Sequence, residues 1–203
     1  MIRVIKLGGS LHDAPQLAAW LGLLGEGGGQ VVLVPGGGPF ADQVRAAQQR
    51  LGFDDATAHH MALLAMEQYG LLLCGLDARL RPAASREDIH AALAGAATPV
   101  WLPSRLCLAQ PDIPASWAVT SDSLALWLAG HLGAAALGLV KSRLPEPGLD
   151  APGLARAGLV DEAFPAFMAR WPMPLRVFSR EDVAGCRTWL GEGPGKPGSR
   201  QAG

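Results

Sequence analysis

The sequence predicts an α/β domain built on a largely parallel β-sheet. Two observations carry this reading. Short apolar runs alternate with longer segments of helical period along the chain. Two of the runs, RVIKL and QVVLV, lead straight into glycine-containing turns, and a helical pattern follows each. Neither an internal repeat nor an interdomain linker is visible, so residues 1–190 read as one domain. The remaining GEGPGKPGSRQAG, residues 191–203, is rich in Gly and Pro and reads as a disordered tail.

Taken in order, residues 3–7 read as a strand, 14–24 as a helix and 30–34 as a second strand closed by Pro35-Gly36-Gly37-Gly38-Pro39. Phe40, Val44, Ala47 and Leu51 recur at spacings of three and four, which predicts a helix after that loop. Residues 56–75 read as a long, mostly buried helix, and Ser85 with Asp88 as the start of a short one. A strand at 99–102, a helix at 120–131 opened by Thr120, and a strand at 134–141 follow. Three prolines make 142–152 a loop, and a helix at 162–171, a strand at 175–179 and a helix at 180–190 complete the pattern.

Composition excludes several classes of function. Lys+Arg 17 against Asp+Glu 18 leaves a net charge of -1, so there is no basic footprint for nucleic acid or an anionic membrane. No apolar window is long enough to span a bilayer, and Lys6 interrupts the first apolar run, which does not read as a secretory signal. Cys74, Cys107 and Cys186 are widely spaced and form neither a disulfide framework nor a zinc pattern, which points to a reduced cytoplasm. Only three of the 17 basic residues are lysines: Lys6, Lys141 and Lys196. The first two each end an apolar run.

Four segments are candidates for chemistry. Lys6 precedes Gly8-Gly9-Ser10, where consecutive amides beside a fixed ammonium can form an anion nest, although a strand-to-helix turn with a solvated lysine would read the same way. Gly36-Gly37-Gly38 opens a helix whose N-terminus favours anions, and its flanking prolines argue against a merely flexible connection. It is neither a Walker A loop nor a dinucleotide fingerprint. Asp122, in the first turn after Thr120 and Ser121, either complements the helix dipole or holds lysines in place. Lys141 ends a strand, where open α/β sheets place ligand chemistry. His59 and His60 begin the long helix, where either can meet a substrate, whereas His12, His90 and His131 read as surface residues. No metal-ligand spacing stands out.

VIKLGGS, VPGGGPFADQVR and SWAVTSDSLALWLA together resemble the amino acid kinase family, which includes acetylglutamate, aspartate, uridylate and isopentenyl phosphate kinases. PVWLPSR and GLVDEAFP, with Arg45 after the glycine loop, narrow the resemblance to the [5-(aminomethyl)furan-3-yl]methyl phosphate kinases of methanofuran biosynthesis. The resemblance implies a three-layer αβα sandwich in which ATP, bound with Mg2+, meets a small-molecule phosphate above the C-terminal strand ends. It implies that Lys6 neutralises the transferring group, that Asp122 positions the lysines and that Lys141 is the candidate for the second, nucleotide-side lysine. By the same analogy Gly8, Gly9 and Ser10 contact phosphates, while Gly36, Gly37, Gly38, Arg45 and Ser121 meet the acceptor. Arg105 is a further possible phosphate contact, and a homodimer is the implied assembly. One departure is plain: many members carry a TDVDGVY-like nucleotide loop where this chain reads KSRLPEPGLD. The alternatives are an enzyme of the same fold acting on a carboxylate or another small phosphate, and a non-catalytic nucleotide-binding protein.

Overall fold

The computed structural model describes residues 1–108 and 110–192. Six parallel strands form one sheet in the order β3-β4-β2-β1-β5-β6: β1 (Arg3–Leu7), β2 (Val31–Pro35), β3 (Leu80–Ala83), β4 (Thr98–Trp101), β5 (Ala136–Lys141) and β6 (Leu175–Ser179). Helices on both faces complete three layers. One face packs against α1 (Leu17–Glu26), the C-terminal half of α3 (Asp55–Leu76) and α9 (Val183–Gly191) through Ile5, Leu7, Leu33, Trp20, Tyr69, Leu73 and Phe178. The other packs against α4 (Arg86–Ala94), α6 (Ser121–His131) and α8 (Phe164–Arg170) through Val4, Val32, Leu137, Leu139, Ile89, Leu126 and Phe164. The period of two along each buried strand divides these residues between the faces.

Strand β1 sits at the switch point. The chain passes from it to β2, crosses to the edge strand β3 and returns to β4 on one side, and later builds β5 and β6 on the other. The turns after β1 and β2 therefore open on one crevice at the C-terminal strand ends, the usual ligand position in open parallel sheets. Helix α2 (Gly38–Leu51) begins inside the glycine loop with Pro39 in its first turn and packs on α3 rather than on the sheet.

Most expected elements are present with shifted ends, and the departures have physical causes. Residues 14–16 do not join α1, which starts two residues beyond Pro15. Strand β3 is absent from the sequence reading, and it contains Pro82, which is tolerated because β3 is the sheet edge, where a missing donor costs little. The four-residue α5 (Ser104–Cys107) and the six-residue α7 (Ala151–Arg156) are too short to show a period. Helix α3 is not mostly buried: Met61, Leu64, Leu71, Leu72 and Leu76 face outward. Its 22 residues are apolar nearly all round, while only one face meets other elements. Ser85 and Asp88 form the expected reciprocal cap of α4. Residues 193–203, most of the expected tail, lie outside the described residues.

The two glycine turns touch backbone to backbone. A Cβ on Gly36 would stand 2.5 Å from the Gly9 nitrogen, and one on Gly9 would overlap the Gly38 backbone. Gly38 also has φ of 54°, in the left-handed region. Gly36→Ala is expected to lower the unfolding free energy by about 1–3 kcal/mol. In α1, by contrast, Gly22 has open space where a Cβ would go, so Gly22→Ala is expected to be neutral or stabilising by up to about 1 kcal/mol. Urea denaturation of both variants checks the claim, and equal midpoints would contradict it.

Candidate active site

Strand alternation brings the two scarce lysines to one place. Lys6 shares the parity of Val4, and Lys141 that of Leu137 and Leu139, so both side chains leave the sheet on the α6 face. Lys6 is paired in register with Leu139, which sets Lys141 two residues further along the neighbouring strand. Between the two ammonium groups lies Asp122, from the first turn of α6. Lys141 Nζ donates to Asp122 Oδ2 at 2.6 Å. Lys6 Nζ stands 3.0 Å from Oδ1 as an ion pair outside hydrogen-bond alignment, so Oδ1 has no aligned donor. Lys6 and Asp122 are 5% and 4% exposed, which makes this a charged cluster inside the protein.

Its electrostatics follow from that burial. Burial pushes the Asp122 carboxyl up, but Lys6 and then Lys141 more than offset it and hold it below the ordinary carboxylate value. For Lys141, burial and then the Lys6 charge push the ammonium down to about 8, against the pull of Asp122 and Asp161. Replacing Asp122 by a neutral group leaves both ammonium groups charged and unpaired in a poorly solvated place.

Thr120 precedes α6, as the sequence suggests, but its side chain caps nothing. The capping carboxylate comes from Asp161, which accepts from Thr120 N at 2.9 Å, Thr120 Oγ1 at 2.8 Å and Ser123 N at 3.0 Å, and also from Ser123 Oγ. Sequence reading did not single out Asp161. The only signal was its place in the GLVDEAFP segment.

Beside the cluster a cavity of about 500 Å3 opens between the glycine turns, α2, α3 and the start of α6. Gly9, Ser10, Gly37, Gly38, Arg45 and Ser121 line it. Gly8 and Gly36 are buried behind it; a Cβ on Gly8 would meet the Val140 carbonyl at 2.9 Å. These two glycines serve the packing of the turns rather than the cavity wall. Arg45 lies over the Trp117 ring at 4.3 Å, and Trp117 Nε1 donates to Gln48 at 2.6 Å, tying the segment before α6 to α2. Arg105 is exposed on α5 and does not line the cavity.

Of the other wall residues, Asp13, Leu63 and Met66 had no local signal in the sequence, and the only signal for Asp42 and Trp117 was their place in the VPGGGPFADQVR and SWAVTSDSLALWLA segments. His59 lines the cavity and His60 is exposed. Burial, then the His60 charge, lowers the His59 pKa. His12 is exposed but joins the wall, and His90 is exposed. His131 is half-buried between Trp127 and Trp171, with ring centroids 4.0 and 5.4 Å away, because α8 brings Trp171 onto the end of α6. Among the described residues, no group of three or more His, Cys, Asp or Glu side chains is placed to hold a metal ion, and no helix is long and apolar enough to cross a membrane. After β5 the KSRLPEPGLD segment runs to α7, and Arg143 donates to the Ala157 carbonyl at 2.5 Å. Arg143, Leu144, Leu149 and Arg156 line a separate hollow of about 350 Å3 there.

The fold is shared with solved nucleotide kinases. Uridylate kinase from Archaeoglobus fulgidus superposes with a TM-score of 0.67 at 15% identity, covering 93% of this chain and 96% of that one. UMP kinase from Bacillus anthracis gives 0.65 at 19% identity, covering 94% and 92%. In sequence, the chain is 30% identical over 129 residues to the [5-(aminomethyl)furan-3-yl]methyl phosphate kinase of Methanocaldococcus jannaschii. That match spans 63% of this chain and 59% of the relative's length. Residues 1–142, which contain the Lys6–Asp122–Lys141 cluster and both glycine turns, match the model of the amino acid kinase family, and the chain belongs to that family.

Proposed function

We propose that the protein transfers the γ-phosphoryl group of ATP to the phosphate of a small aminomethylfuran phosphate, forming a diphosphate. The observation that carries this reading is the buried Lys6–Asp122–Lys141 cluster at the strand ends beside the glycine-walled cavity. Phosphoryl transfer between two anions needs charge neutralisation and in-line positioning more than covalent help. The two ammonium groups supply the first, and Asp122 keeps them together while leaving net positive charge for the phosphoryl oxygens. Amides of the Gly9 and Gly38 turns approach phosphate where a side chain would block them. Further neutralisation of the nucleotide's phosphates would come from Mg2+ carried with the nucleotide. The hollow lined by Arg143 and Arg156, which the chain reaches just after Lys141, is where the nucleotide would extend.

The cavity suits such an acceptor. Leu63, Met66, Leu124 and Trp117 give a ring apolar walls, and the carboxylates of Asp13 and Asp42 suit an ammonium group. A phosphate monoester has a second pKa near 6, so its attacking oxygen is already ionised near neutrality and needs no base. His59 favours a second reading, in which the acceptor is the corresponding alcohol and a neutral imidazole takes its proton. The enzyme would work in the reduced cytoplasm that fits its three free cysteines. The homodimer implied by resemblance would find an apolar surface on the outer face of α3.

Turnover with the furan phosphate, the furan alcohol, acetylglutamate and UMP, each with ATP, tests the proposal, and no turnover of the furan phosphate would sink it. His59→Gln is expected to keep kcat within about threefold on the phosphate, because general-base catalysis, typically worth 10²–10⁴-fold, is not used there. A loss of about a hundredfold would favour the alcohol.

Lys6→Ala is expected to cost roughly 10²-fold or more in kcat with ATP binding largely kept. Asp122→Asn added to it should cost little more, since residues acting as a unit are non-additive. Independent effects that multiply in the double variant would separate Asp122 from the lysines.

The pH profile of kcat/KM should be bell-shaped. Its acid limb near pH 6 follows ionisation of the acceptor phosphate. Lys141 is charged below about 8 and neutral above it, so activity falls as pH rises through that value. A profile flat between pH 7 and 10 would remove the Lys141 ammonium from the mechanism.

A further inference from the structure

Asp161 belongs to the loop between α7 and α8, beyond the residues 1–142 that match the family model. Its contacts nonetheless fall on the part of α6 that carries Asp122. Thr120 and Ser123 flank Asp122, and all four donors that Asp161 accepts from belong to these two residues. The same loop is tied a second time, where Ala163 N donates to the Ala118 carbonyl at 2.9 Å. The backbone around Asp122 is thus bound from outside its own helix, and Thr120 spends its hydroxyl on Asp161 instead of on the helix.

From this geometry we infer that Asp161 is a positioning residue: it clamps the first turn of α6 and thereby fixes Asp122 between Lys6 and Lys141. The inference rests on the kinase reading for its effect on turnover, but not for its effect on the lysines. A neutral Asn or Ser would be enough for an ordinary cap. A carboxylate here costs more, because burial and then the Asp122 charge both raise its pKa. It offers in return a second anion acting on the Lys141 ammonium. The charged groups acting on Lys141 are Lys6 from β1, Asp122 from α6 and Asp161 from this loop.

Asp161→Ala removes every acceptor contact, whereas Asp161→Asn keeps an amide oxygen for the three Oδ2 bonds. Because misplacement of about 1 Å can cost 10²-fold, Asp161→Ala is expected to lose at least about tenfold in kcat with both KM values within about threefold. Asp161→Asn should recover most of that loss. Wild-type kcat in folded Asp161→Ala, or a loss confined to KM, overturns the inference. If Asp161→Ala does not fold, Ser123→Ala carries the test by deleting the Oδ1 donor alone: a severalfold drop in kcat supports the inference and wild-type kcat overturns it.

A second readout does not need turnover. With three lysines in the chain, side-chain ammonium signals can be resolved and titrated by NMR. Asp161→Asn is expected to move the Lys141 midpoint below its wild-type value, since one of its two supporting anions is gone. An unmoved midpoint counts against the inference. Should wild type turn over no acceptor while this midpoint shifts, the kinase reading falls and the coupling of Asp161 to the lysine cluster stands.

Discussion

The rest of the site depends on the burial of two ammonium groups around one carboxylate. Lys6 and Lys141 are the last residues of their strands that face α6, and Asp122 is held where it meets both. Buried ion pairs contribute little net stability compared with apolar packing, because desolvation offsets their attraction. A cluster of this kind is therefore better understood through the two ammonium groups it holds at the crevice at the strand ends.

A steric constraint supplies the second part of the site. Gly9 and Gly36 to Gly38 let the turns after β1 and β2 approach backbone to backbone, so the amides at the two strand ends stand together. Side chains there would push the turns apart. Some of these glycines meet the cavity, and others serve only to bring the turns close enough to form it.

The architecture divides the work between the two halves of the chain. Strands β1 and β2 with their turns, together with α6 and β5, supply the charged cluster and the glycine turns at the cavity, all within the segment that carries the family pattern. The later segment adds β6 at the sheet edge, α8 against α6, and the Asp161 cap. Helix α8 buries Phe164 and Phe167 in the core that holds α6, so packing and hydrogen bonding fix the same helix from two sides.

By itself the sequence determined the α/β alternation, the parallel sheet and the two glycine turns, and it singled out Lys6, Asp122 and Lys141, which the structure brings together. Each of these is written locally, as a period, a glycine run or a scarce residue type at a strand end. Strand β3 escaped because its edge position, which excuses Pro82, is a property of the sheet and not of four residues. The outward face of α3 escaped because apolar residues all round a helix do not say which side meets the core. Only the tertiary structure decided that Asp161 caps α6, that Trp117 and Arg45 stack at the cavity wall, and that one carboxylate lies between lysines 135 residues apart in the chain. Those contacts come from the order of strands in the sheet and the packing of helices on its faces, which bring together residues whose sequence neighbours carry no record of the encounter.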